Sequence, residues 1–431
     1  MTHALQGSCS PTLARALLAC ALDGADALMM ALVQGSGTPL TALTLLLEAL
    51  DGPAGHAQTE LDRLFTAGAT HWGRRIQPQG MQSFHRACSR WKERLEALPS
   101  RDCDALRAWL SDDGRFWLAG PDDAAWPAQL DDLSTRGDWA PPLCLWGMGS
   151  PVAPVACEAP VAVVGSRGVN GYGRQVATAI SENAASHGHV VVSGGAMGTD
   201  ACAHWGALHA RDRLGTSRAG PTVAFFAGGL NHVGPASNAR LFDAMLAAGG
   251  ALLSECPPDT VPQPHRFLLR NRLIAAMAST VVVAQARRRS GALNTAHWGN
   301  ELNRTVYAVP GCITTPEHAG CHELIRNQEA LLLADPAACD EWTHAAHPPG
   351  TAPDAESPAE GNEEGDWVAE ALSSLCSQGR PPTPNAVARL LLERHPERFP
   401  DLAGVHVLLG RLELEGTIRT GGTGIAMAAS T

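Results

Sequence analysis

The chain has 431 residues, 45% of them hydrophobic, and its 43 acidic against 32 basic side chains leave a net charge of −11. That length is enough for two to four domains, the acidic balance argues against a protein coated in nucleic acid, and with no apolar run of 18 residues no membrane span is expected. The charge is uneven: residues 160–312 carry 13 cations and 7 anions, residues 1–159 carry 12 and 18, residues 313–366 carry 1 and 12, and residues 367–431 carry six of each.

Residues Met1 to Pro11 lack a basic leader, and Arg15 interrupts the apolar stretch Leu13–Leu22, so no secretory signal is expected. Leu13–Leu22, Ala25–Val33, Leu40–Leu50, Leu61–Phe65 and Phe84–Leu98 have helical patterns broken by Gly and Pro. They predict a small helical domain over residues 1–100, of the sterile-alpha-motif or helix-hairpin-helix kind. Residues 101–150, rich in Trp, Pro and Asp, are expected to form an irregular connector with one hairpin. The 12 cysteines are scattered without a C-x-x-C pair, which fits reduced thiols in a cytoplasmic protein.

From residue 151 to 343 the pattern is α/β. Short apolar runs at Val161–Val164, Val190–Val192, Thr222–Phe226, Ala251–Leu253, Val281–Ala284 and Val306–Val309 alternate with helical stretches at Arg174–Ser186, Ala201–Ala210, Asn238–Ala248, Asn271–Ala278 and Leu293–Leu302. Continuous apolar strands alternating with helices predict a Rossmann-like, doubly wound parallel sheet buried on both faces. Ligands of such sheets bind beyond the carboxyl ends of the strands. Residues 344–366 are rich in Pro, Ala, Gly and acid, the composition of a disordered linker. Three amphipathic segments follow (Trp367–Leu375, Thr383–Glu393, Val405–Leu414), then a short run to a glycine-rich tip at Gly421–Gly424, which is a winged-helix layout over 367–431.

Four motifs carry chemistry. Gly165-Ser166-Arg167 ends the first core strand ahead of a helix, a place for phosphate or a tight turn with a solvated arginine. Ser193-Gly194-Gly195 opens a glycine loop ending in Asp200. The loop is suited to an anion nest, with Asp200 as a helix cap rather than a catalyst and His204 as a packed histidine. The run Arg266-Phe267-Leu268-Leu269-Arg270-Asn271-Arg272 puts an aromatic ring among cations, as single-strand binders do, or else starts a helix with a solvated basic face. Arg287-Arg288-Arg289-Ser290-Gly291 adds a second cationic loop. Cys312, His318, Cys321 and His322 fit no standard zinc spacing, so no metal is expected. No cofactor is expected either. The sequence lacks a P-loop, a G-x-S-x-G elbow and H-E-x-x-H.

Taken together these segments resemble the DNA-processing protein A family (DprA, also called Smf). The resemblance runs through Val163–Arg167, Ser193–Asp200 with His204, Leu253–Glu255, Phe267 to Ala275, Ser290–Ala296 and Arg304–Gly311. It extends upstream through Trp126–Leu130 and Pro141–Gly147, and downstream through Leu409–Gly416. It implies a non-catalytic, cytoplasmic single-stranded DNA binder that protects incoming strands in natural transformation. It also implies loading of a RecA-type recombinase, and a homodimer through the Rossmann-like domain. By position it assigns phosphate contacts to Arg167, Ser166, Gly165 and the Ser193-Gly194-Gly195 loop, stacking to Phe267, and backbone contacts to Arg266, Arg270 and Arg272. Asn271, Ser290 and Gly291 would shape the pocket. Gln285 stands where the family usually has Glu, and no lysine occurs in the core. The alternative readings are a nucleotide sensor or a nucleotide-hydrolysing enzyme of the same superfamily; the latter lacks its loop glutamate here.

Overall fold

A computed structural model describes residues 5–51, 55–71, 76–135, 140–336, 363–377, 382–396, 398–399, 402–414, 418–421 and 424–427. The chain divides into two units, Met1–Gly350 and Thr351–Thr431.

The first unit opens with six helices: α1 (Pro11–Cys20), α2 (Ala27–Ser36), α3 (Pro39–Asp51), α4 (His56–His71), α5 (Pro78–Glu96) and α6 (Cys103–Ser111). The side chains of Ser10, Asp26 and Asp102 cap α1, α2 and α6 by accepting from backbone N–H groups of the first turn. Four or five helices were expected before residue 100, and among the described residues α1–α5 lie there. Their apolar core does not stop there, because one buried cluster joins Leu17, Leu32 and Trp91 to Phe226, Phe242 and Leu252 further along the chain.

The expected connector is more ordered than its composition implied. It contributes α6 and two strands, β1 (Trp117–Ala119) and β2 (Leu145–Gly149), paired antiparallel. β2 also pairs antiparallel with a core strand, and the buried Trp146 indole donates to the Leu110 carbonyl. Two strands thereby extend the sheet at one edge.

The core alternates β3 (Val161–Gly165), α7 (Gly171–Ser186), β4 (Val191–Gly194), α8 (Thr199–Leu214), β5 (Thr222–Phe225), α9 (Ala239–Ala247), β6 (Ala251–Ser254), α10 (Pro264–Met277), β7 (Thr280–Gln285), α11 (Ala292–Glu301), β8 (Thr305–Ala308), α12 (Ala319–Arg326) and β9 (Leu331–Leu332). All six expected core strands are present. The sheet order is β1-β2-β6-β5-β4-β3-β7-β8-β9, parallel from β6 to β9.

Successive residues of each inner strand serve opposite faces. Ala162, Val164, Val281 and Val283 pack on one side with Leu273, Ile274 and Ala296 of α10 and α11. Val161, Val163, Val282 and Ala284 pack on the other with Ile180 and Ala207 of α7 and α8. Each such fully buried valine contributes about 1.5–3 kcal/mol. Burial on both faces is why the strands read as unbroken apolar runs. The chain winds outward from β3 to β6, then returns to β3's other side with β7. The carboxyl ends of β3 and β7 therefore flank the topological switch point, where a crevice opens.

The second unit has α13 (Glu363–Ser377), α14 (Pro384–Arg394), α15 (Leu402–Leu414) and an antiparallel pair, β10 (Ile418–Gly421) and β11 (Gly424–Met427). Its own core holds Val368, Leu375, Val387, Leu391, Val405, Leu412, Ile418 and Ile425. Residues 344–362 of the expected linker lie outside the described residues, and 363–366 belong to the first turn of α13. Residues 422–423 of the expected glycine tip also lie outside them.

Candidate functional site

A cleft of about 620 Å³ occupies the crevice between the ends of β3 and β7. Gly165, Ser166 and Arg167 line it from β3, Phe267, Arg270 and Asn271 from α10, and Arg287, Arg289, Ser290 and Gly291 from the turn after β7. Segments separated by more than a hundred residues meet because β3 and β7 are parallel neighbours.

The β3–α7 turn is held from below by Gln285, the last residue of β7. Its carbonyl accepts from the Ser166 N–H, and its side-chain oxygen accepts from the Asn170 N–H. A neutral amide suits this buried place, since its NH₂ group also meets the His318 ring nitrogen at 3.2 Å. Asn170 caps α7 through the Gly173 N–H. This scaffolding frees Arg167 to stand exposed, its guanidinium 5.2 Å from the centroid of the Phe267 ring, within cation–π range. Among the described residues no carboxylate pairs with Arg167 or Arg289, whereas Arg287 bonds Glu317 at 2.6 Å.

Helix α10 begins at Pro264, not at Asn271, so the whole basic run is helical. This overturns several expected roles, because a helix sends neighbouring side chains in different directions. Pro264, Phe267, Leu268, Asn271 and Ile274 fall on one face and line the cleft. Arg266 points elsewhere: it is buried beside Cys256 and 3.6 Å from Asp23 of the N-terminal helices. Arg272 is 2% exposed and grips Glu255 through two bonds of 3.0 and 2.6 Å. The structure does not bring these two arginines to the cleft. Asn271 bonds the Gly291 carbonyl and Asn294, tying α10 to the start of α11.

Arg270 is buried at the cleft floor. It donates to the Phe225 carbonyl and faces Asp200. Burial pulls the guanidinium pKa below its ordinary value, opposed by Asp200; burial likewise raises that of Asp200, opposed by Arg270. Asp200 is not the helix cap that was expected. Gly198 holds that position at φ 84°, where a Cβ would strike the Ser166 and Arg167 carbonyls, and Asp200 accepts from the Ala196 N–H. Ser193 and Gly194 lie beneath the cleft. The Ser193 hydroxyl donates to the Val163 carbonyl, and a Cβ on Gly194 would collide with Arg270. Gly195 lines an adjoining cavity instead.

His204 is fully buried. The Gly194 carbonyl can only accept, so Nε2 donates to it at 2.9 Å, and Nδ1 lies 2.7 Å from the Thr222 hydroxyl, whose one proton also has the Val191 carbonyl as a target at 2.9 Å. Burial lowers its pKa to about 4. It is the packed histidine that was expected.

The four residues weighed as zinc ligands are dispersed. Cys321 donates to the Val283 carbonyl, His318 meets Gln285, His322 accepts from the Gly311 N–H, and Cys312 is exposed. Among the described residues no cluster of three metal-ligating side chains occurs. No single described helix is long and apolar enough to cross a membrane, although α2 and α3 pass as a pair bent by 106°.

The profile described as DNA recombination-mediator protein A matches residues 117–341. This chain belongs to that family. The match starts at β1, takes in the whole sheet, and carries every residue of the cleft. Among relatives, a Mycobacterium tuberculosis chain named for DNA processing protein DprA is 40% identical over 238 residues, 54% of this chain and 58% of that one. Protein Smf of Escherichia coli K12 is 35% identical over 247 residues, 57% of this chain and 62% of that one. The aligned stretch thus takes in less than two thirds of these family members. The X-ray structure of DNA processing protein A (DprA) from Streptococcus pneumoniae superposes with a TM-score of 0.51 at 26% identity, covering 73% of this chain and 96% of that one.

Arg287 and Arg289 belong to the site, yet sequence reasoning had them only as a cationic rim. Leu268, Ile274 and Thr295 were missed altogether. Helical spacing counted from Pro264 for Leu268, from Phe267 for Ile274 and from Gly291 for Thr295 would have found them.

Proposed function

We propose that the cleft binds the sugar-phosphate backbone of single-stranded DNA, and that the chain is a cytoplasmic, non-catalytic recombination mediator. Its role would be to protect incoming strands and hand them to a RecA-type recombinase during natural transformation, working as a homodimer through the Rossmann-like domain. The observation that carries this reading is the pairing of an exposed arginine with an aromatic ring, Arg167 over Phe267, at the switch point of the sheet. Stacking surfaces set in a cationic groove bind strands without regard to sequence.

Three features support it. Arg287 and Arg289 flank the pair. The amino end of α11 opens into the cleft at Gly291 and Ala292, with the Ser290 hydroxyl accepting from the Ala292 N–H at 3.3 Å, and such ends favour phosphate. Among the described cleft residues Asp200 is the one carboxylate, so anions meet little repulsion. Membership of a recombination-mediator family agrees with this role. For the second unit, we propose that its three helices and strand pair form a winged helix. Six cations against six anions over residues 367–431 favour a protein partner for it over duplex DNA.

Fluorescence anisotropy with labelled oligo-dT tests the reading. Binding is expected to weaken with salt, with a log–log slope of about −0.7 for each phosphate neutralised. Arg167→Ala should weaken binding and remove about one such increment, with circular dichroism unchanged. Strand binding insensitive to both salt and Arg167→Ala would refute it. Release of free base from a panel of nucleotides would restore the enzyme reading.

A further inference from the structure

Phe267, the ring of the proposed strand site, sits in the first turn of α10, and that turn has few anchors. Gln263 at its amino cap makes no side-chain bond to it. Helix ends leave backbone groups without partners and open readily unless other groups tie them down. Of residues 261–269, Arg266 is the one buried side chain. The position of the turn that carries Phe267 therefore depends on what holds Arg266.

What holds it belongs partly to the N-terminal helices. The Arg266 guanidinium donates to the Cys256 thiol sulfur at 3.4 Å, and its other terminal nitrogen lies 3.6 Å from Asp23 Oδ1. Asp23 lies in the loop between α1 and α2. Its second carboxylate oxygen accepts from Arg94 of α5 at 2.6 Å, and Arg94 also donates to the Ala21 carbonyl at 3.0 Å, which fixes the loop. Gly24 of the same loop lies against α10, where a Cβ would stand 3.6 Å from Leu269 Cδ1. One carboxylate thus bridges two arginines, one from the helices and one from the sheet domain. Among the described residues it is the one carboxylate paired with Arg266. A guanidinium cannot shed its charge, and a buried charge that loses its partner is strongly disfavoured. Without Asp23, Arg266 is driven toward water and takes its turn of helix with it. The next residue is Phe267, whose ring centroid lies 5.2 Å from the Arg167 guanidinium.

We propose that the N-terminal helices brace the cleft: Asp23, fixed by Arg94, positions Arg266 and through it the Phe267 ring. Asp23 and Arg266 are positioning residues and touch no part of the strand. This rests on the strand-binding function proposed above and gives the helices before residue 100 a part in it.

The test uses the full chain, with oligo-dT affinity read by anisotropy at low salt, where phosphate contacts keep weakened binding measurable. Asp23→Asn should lower affinity about threefold. The salt slope should stay as it was, because no phosphate contact is lost. Hydrogen exchange should quicken over residues 264–270 and not in β3 or β7. Asp23→Glu, which keeps the charge, should restore most of the affinity. In a Phe267→Ala background, Asp23→Asn should cost nothing further, because its effect runs through the ring. The Asp23 side chain is 69% exposed, so its variants should fold, and thermal melting checks that they do. Unchanged affinity for Asp23→Asn, an equal loss for Asp23→Glu, or a loss that persists without the Phe267 ring overturns the brace and leaves strand binding standing. A reduced salt slope for Arg266→Gln would make Arg266 a phosphate contact and overturn its positioning role. Failure of the unaltered chain to bind oligo-dT overturns the proposed function and the brace with it.

Discussion

Arg167 stands exposed over an aromatic ring, while Arg272, five residues after Phe267, lies in the core with both terminal nitrogens on Glu255. The two residues are chemically identical, but Arg167 stands alone in a turn of small residues while Arg272 ends a basic run. What buries Arg272 is the helix: from Phe267 one turn leads to Asn271 in the cleft, and the next residue turns inward. Charge density was legible in the sequence, but its direction was not, because the helix was expected to begin at Asn271. Pro264, a residue favoured at the first position of a helix, was the signal for the earlier start. The buried pair makes its own prediction. Arg272→Ala leaves Glu255 charged and unpartnered, and should destabilise the fold by about 3–5 kcal/mol. The double change Arg272→Met with Glu255→Leu should cost much less. Urea unfolding measures both, and the folded fraction of Arg272→Ala should bind oligo-dT as the unaltered chain does. A binding defect in that fraction would return Arg272 to the interface.

Helix α8 is joined to the sheet by His204, whose ring bridges the end of β4 and the start of β5. The neutral ring keeps its Nε2 donation to the Gly194 carbonyl. Its pKa is depressed to about 4 in the fold, against about 6.5 in the unfolded chain. The unfolded chain therefore takes up a proton below pH 6.5 that the fold refuses until about pH 4. The contribution is fully present above pH 6.5 and is lost as pH falls through that window, to a total of about 3 kcal/mol. Chemical unfolding across pH should show the stability gap between the unaltered chain and His204→Gln narrowing by about that amount from pH 7 to pH 4. A constant gap would mean that the ring titrates in the fold as it does in the unfolded chain. The same loop explains what its glycines do. The spacing Ser193-Gly194-Gly195 was legible as a phosphate nest, yet Gly194 is small because Arg270 occupies the space of its missing Cβ. Gly194→Ala should displace Arg270, lowering stability by about 1–3 kcal/mol and weakening strand binding at the same time. Core strands and the switch point could be read from the sequence because apolar runs and glycine-ended turns are local signals. The cleft's far wall could not, because it depends on which face of α10 meets the sheet.

At the scale of the whole chain, the net charge of −11 and the proposed strand binding are compatible because electrostatics at physiological salt is local. The Debye length is about 8 Å, so a phosphate in the cleft senses Arg167, Arg287 and Arg289 far more than acids elsewhere. The described carboxylates nearest in bonding are Glu317 on Arg287 and the buried Asp200. Residues 313–366, with 12 anions and one cation, dominate the total. The first unit has its own core and contains every residue of the cleft. A chain ending at residue 350 should therefore fold and bind oligo-dT with an unchanged salt slope, because the slope counts phosphates neutralised in the cleft and not the charge of the molecule. Only its association rate at low ionic strength should rise, as repulsion from the removed acids disappears. Anisotropy titrations of the full and shortened chains at several salt concentrations separate these terms. A shallower slope for the shortened chain would mean that residues 351–431 themselves contact phosphate, and would move their proposed role from protein partner to DNA.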